Sequence, residues 1–80
     1  MSYPKVALVW NQHRTGRNVV HTLVQMTRFV DGATNLKGTR FTITKFNGWY
    51  CVQRSATHIG QELRLNKAKA LAEATFILGE

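Results

Sequence analysis

The chain has 80 residues, enough for one domain, and carries eleven Lys and Arg against four Asp and Glu, a net charge of +7. A hydrophobic content of 44% with 10% aromatics excludes a disordered chain. The single cysteine, Cys51, excludes an intrachain disulfide, and no run approaches the ~20 apolar residues of a membrane helix.

The charge balance directs the search for a partner. A basic field of this size attracts polyanions, so nucleic acid (DNA or RNA) or an acidic protein surface is expected, with no membrane partner. The stretch Met1–Trp10 lacks the long apolar run of a signal peptide, which points to a soluble cytoplasmic protein. A chain this short buries a modest core, and a homodimer is an open expectation.

Lys5–Trp10, KVALVW, is an almost continuous apolar run and reads as a buried strand. Asn11–Asn18 follows as a polar loop, with His13, Arg14 and Arg17 close enough to contact a phosphate. From Val19 to Val30 the apolar residues Val19, Val20, Leu23, Val24, Met26 and Val30 fall at helical spacing. That spacing predicts a helix capped by Asn18 and stopped by Asp31-Gly32. The frequent Val and Thr argue for a strand instead, but alternation would leave apolar residues on both faces. If the segment is a strand, the sheet has five strands and a single helix covers one face. Ala33–Gly38 reads as a loop.

Thr39–Arg54, TRFTITKFNGWYCVQR, is the clearest signal in the chain. Two β-favouring runs flank Asn47-Gly48, the pair that suits a type I′ turn because both central residues need positive φ. A two-residue loop sets Phe46 against Trp49, Lys45 against Tyr50, Thr44 against Cys51, Ile43 against Val52, Thr42 against Gln53 and Phe41 against Arg54. Phe41, Ile43, Tyr50 and Val52 then face the core. Arg40, Thr42, Thr44, Gln53 and Cys51 face outward, with Phe46 and Trp49 beside them at the turn. Ser55–Thr57 is a turn, and His58–Leu65 is a third antiparallel strand of the meander. Asn66 caps a last helix, Lys67 to about Leu78, with an apolar stripe of Ala70, Leu71, Ala74, Ile77 and Leu78 and a flanking Phe76. The expected fold is a small β-α-β-β-β-α single domain over residues 1–80. It is an α+β layer structure, an antiparallel meander sheet with helices packed on one face.

Two surfaces suit nucleic acid. On the outer hairpin face, Phe46 and Trp49 stack on bases while Arg40, Lys45 and Arg54 hold phosphates. At the last helix, Arg64, Lys67 and Lys69 gather where the macrodipole disfavours cations, an arrangement that calls for an anion. Arg14 and Arg17 complete the candidate set. His13, His21 and His58 lack ligand spacing, so no metal is expected. The glycines form no phosphate loop, so neither is a cofactor. Asp31, Glu62, Glu73 and Glu80 show no acid–base pairing, and a non-catalytic protein is expected.

The order helix–strand–strand–strand–helix, closing on NKAKALAEA, resembles double-stranded RNA-binding domains, and implies phosphate contacts by Lys67 and Lys69. A meander followed by a helix is similar to the three-stranded DNA-binding domains of phage integrases and plant AP2 factors, which lay the sheet in the major groove. The run NGWYCVQRSATH, Asn47–His58, resembles the segment before the catalytic histidine of HicA-type mRNA interferase toxins, which implies His58 as general acid or base. The leading expectation is a small basic nucleic-acid-binding protein of phage or mobile-element accessory type. The alternatives are an inhibitor that docks its basic surface on an acidic host protein, such as a nucleic-acid-handling enzyme, and a toxin of that interferase type.

Overall fold

The computed structural model describes residues 5–79, so Met1–Pro4 and the acid Glu80 lie outside the described residues. The elements are β1 (Lys5–Thr15), β2 (Asn18–Arg28), β3 (Thr34–Phe46), β4 (Trp49–Arg54), β5 (Thr57–Glu62) and α1 (Leu65–Ile77). Each strand pairs antiparallel with the next, giving one five-stranded sheet in the order β1-β2-β3-β4-β5. α1 lies over β3, β4 and β5 on one face. The fold is thus α+β, with five strands and a single helix among the described residues where two helices were expected.

The hairpin forms as its turn chemistry dictates. Asn47 and Gly48 both take positive φ, +51° and +83°. All six cross-strand pairs fall in the expected register. Phe41, Ile43 and Val52 are fully buried, and Tyr50 is half-buried beside them. Gly48→Ala would put a side chain where L-residues are strained by about 1–2 kcal/mol. A loss of that size in urea unfolding is the expected result.

The segment read as a helix is β2, and its β2–β3 connection turns on Asp31-Gly32, with the Asp31 carboxylate accepting from the Ala33 N–H at 3.0 Å. The reason is burial on both sides. Leu23 and His21 are buried on the helix side of the sheet and Val24 on the other, so an inner strand shows no polar face and its alternation disappears. The helical likeness to double-stranded RNA-binding domains goes with it. The expected polar loop at Asn11–Asn18 is mostly strand, since β1 runs to Thr15 and turns in two residues at Gly16. Lys5–Trp10 is not a buried strand: β1 is the sheet edge and Val6 is 57% exposed, although Leu8 and Trp10 are partly buried against the core. Most of the expected loop Ala33–Gly38 belongs to β3, paired with the far half of β2.

β5 ends at Glu62, leaving Leu63 exposed and Leu65 free to enter α1. Asn66 is therefore not the cap; Arg64 holds the N-cap position in extended conformation, with no side-chain hydrogen bond. This earlier start rotates the buried stripe. Ala68 and Ala72 are fully buried, with Leu65, Leu71 and Phe76 packed beside them, while Ala70, Ala74, Ile77 and Leu78 are exposed. Phe76 meets Phe41 edge-on, centroids 6.2 Å apart at 90°, an arrangement worth about 0.5–1.5 kcal/mol beyond its buried area. An aromatic ring removes more apolar surface than Ile77 would, which decides the rotation.

Candidate polyanion-binding site

The two short turns lie at the same end of the sheet. Arg17 and Asn18 of the β1–β2 turn line one cleft together with Asn47 and Gly48 of the β3–β4 turn. The start of α1 reaches the same end, where Trp49, Leu63, Arg64 and Lys67 line a second, shallower depression of about 240 Å³. Arg14 sits one residue pair below the first turn, opposite Val19. Lys69, further along α1, places its Nζ over the Trp10 ring, 5.8 Å from the centroid. Six of the eleven cations, Arg14, Arg17, Lys45, Arg64, Lys67 and Lys69, thereby share one end and its helix flank.

The outer face of the hairpin is not assembled as expected. Lys45 and Arg54 pair with Tyr50 and Phe41, and so lie on the core side of the alternation. Arg40 takes φ +72° within a bulge where Thr39, Arg40 and Phe41 oppose the single residue Leu23. Thr39 Oγ1 holds that bulge by donating to the Leu23 carbonyl at 2.9 Å. Arg40 and Arg54 meet at the opposite end of the hairpin, lining a hollow beneath Phe76. What remains outside is the aromatic pair, Phe46 at 67% and Trp49 at 37% exposure. Between the two ends the outer face is uncharged, a row of Asn11, Thr22, Thr42 and Gln53 across four strands.

Acids are few at the turn end. Glu62 stands beside Arg64 and Lys67 in the shallow depression. Glu73 is engaged elsewhere: its Oε2 accepts from Trp10 Nε1 at 2.7 Å, which ties the helix flank to the edge strand. Lys45 rests over the Tyr50 ring, 5.4 Å from its centroid. Such a cation–π contact is worth about 0.5–1 kcal/mol at an exposed site, so it is readily exchanged for an anion. The first turn of α1 contains no acid and its last turn no base, so its charges run against the macrodipole at the amino end.

No protein-family model, curated protein or solved structure matches the chain.

The cleft between the two turns has a volume of about 520 Å³ and no acidic residue in its lining. His21, only 8% exposed, forms part of its wall, a residue that the sequence marks only as lacking metal-ligand spacing. Its strand register was the signal that would have found it, because Gln12 and Ile43 are its cross-strand neighbours. Burial, and secondarily the Lys69 ammonium, hold the imidazole below its ordinary pKa of 6.5. The unfolded chain then binds the proton more readily than the folded one, so His21 removes stability as pH falls below about 6.5. Urea midpoints at pH 7.5 and 5 are expected to differ less in His21→Gln than in the parent chain. His58, by contrast, is exposed in β5 and pairs with Gln53 beside a bulge.

No described helix is long and apolar enough to cross a membrane.

Proposed function

We propose that the protein binds nucleic acid through the turn end of its sheet, without catalysing a reaction on it. The observation that carries this reading is the gathering of six cations at one end of the sheet and its helix flank, the end that also carries the exposed rings of Phe46 and Trp49, on a chain of net charge +7. Cations neutralise phosphates, and rings such as Phe46 and Trp49 stack on unpaired bases. The uncharged outer face argues against laying the flat of the sheet in a major groove, since nothing there would grip the flanking phosphates. An end-on contact fits the geometry better. It favours unpaired or distorted strands, whose bases are free to reach the rings.

A mobility-shift titration across salt, with duplex DNA, duplex RNA and single strands, tests the reading. The expected result is binding to single strands that weakens steeply with salt, the log–log slope falling by about 0.7 for each phosphate neutralised. Absence of a shift at low salt with every probe would overturn it. Retention on an acidic protein with no affinity for nucleic acid would instead point to an inhibitor that docks on such a surface.

A further inference from the structure

We propose that the cleft between the two turns is a phosphate seat, in which Arg17, Lys45 and Lys69 hold one phosphate group against the ring of His21. This rests on the nucleic-acid reading and names the place where a single phosphate is gripped most closely.

Three observations meet here. The first is concavity: the cleft is bounded by β1, β2, β3, β4 and both turns, so an anion inside it is approached from several directions. The second is the parked state of its cations. Lys45, in the lining, lies on the face of Tyr50, and Lys69, beyond it on α1, lies on that of Trp10. The Glu73 carboxylate is taken by Trp10 Nε1, and Glu62 stands opposite Tyr50 on β5. The third is His21. Its side chain makes no hydrogen bond among the described residues, yet no buried side-chain nitrogen or oxygen there lacks a partner. Its ring nitrogens are therefore open to the cleft. An imidazole in this position offers one donor when neutral and two when protonated.

The charged groups that face His21 decide how it responds. Lys69 approaches from α1, Lys45 from β3 and Arg17 from the turn, while Tyr50 faces it from β4 and Gln12 from β1. Burial and the Lys69 ammonium disfavour a further positive charge at the ring, and the charged residues of the lining, Arg17 and Lys45, do nothing to offset them. The carboxylates Glu73 and Glu62 lie outside the lining, against Trp10 and opposite Tyr50. A bound phosphate reverses that balance and favours the imidazolium. Binding is then accompanied by proton uptake at His21, and affinity rises as pH falls through the range where the free ring is still neutral.

The seat is tested on the full chain with inorganic phosphate as the probe. The imidazole resonances of His21, His13 and His58 are followed by NMR against chloride at matched ionic strength. The expected result is a saturable movement of the His21 signals alone, with its titration midpoint raised by roughly one pH unit, equivalent to about tenfold tighter binding to the protonated form. Lys45→Gln should weaken that response while leaving the His58 signals in place. A His21 resonance indifferent to phosphate overturns the seat, whatever the chain does with nucleic acid. The mobility shift answers separately. If single strands bind the parent chain while His21 ignores phosphate, the nucleic-acid reading stands and only the seat falls.

Discussion

Truncating Phe41 to alanine is expected to lower stability by about 3–5 kcal/mol, the largest effect of any single substitution considered. Phe41 is 1% exposed and touches the layer that joins helix to sheet, with Phe76 edge-on above it. Its backbone is also fixed by the neighbouring bulge, where its N–H donates to Thr39 Oγ1 at 3.4 Å. The site cannot collapse to fill the void, because the strands on either side are paired and Ala68 and Ala72 have no side chain to extend. A domain of this size has about 5–15 kcal/mol in total, so the loss removes a large share of it. Thermal unfolding should show a fall in Tm on the order of 20 °C. A change under about 1 kcal/mol would mean that the helix does not seal this part of the sheet.

The second large effect concerns binding. A triple variant, Lys45→Gln, Arg64→Gln and Lys67→Gln, removes three cations from the turn end. A matched variant, Arg28→Gln, Lys37→Gln and Arg54→Gln, removes three from the other end of the sheet. Each takes the net charge from +7 to +4, so total charge is the same and only position differs. If each turn-end cation neutralises one phosphate of a single strand, the first variant lowers the log–log salt slope by about 2 and weakens binding roughly a hundredfold near 0.1 M salt. The matched variant is expected to change the slope by less than one. Equal losses in the two would show that attraction is diffuse, and the end-on contact would be abandoned. Lys45, Arg64 and Lys67 are all exposed, so the first variant should keep the fold, which circular dichroism checks.

The parts legible in the sequence are those with strong local rules. Asn47-Gly48 set the hairpin register without help from the rest of the chain, and alternation from that turn marked Phe41, Ile43 and Val52 as core. The alanines announced a helix, although its buried side was rotated by the earlier start at Leu65. What could not be read was β2. Helix and inner strand both display apolar residues at short intervals when both faces are covered, and Val20, Leu23 and Val24 satisfy either pattern. Its assignment depends on β1 and β3 lying on either side, which is tertiary information. The candidate site suffered the same loss. The residues alone put Lys45 on the hairpin and Arg64, Lys67 and Lys69 at the helix start as two separate surfaces, and the cleft that brings Lys45 together with Arg17 and His21 exists only once the first two strands form a hairpin.

The meander has a kinetic consequence. Every strand hydrogen-bonds to the one that precedes it in the chain, and no connection crosses the sheet. Ordering can therefore spread outward from the Asn47-Gly48 reversal, one short closure at a time, without waiting for distant segments to find each other. The last strand to be secured on that route is β1, so the wall of the cleft that carries Gln12 is finished late and opens early.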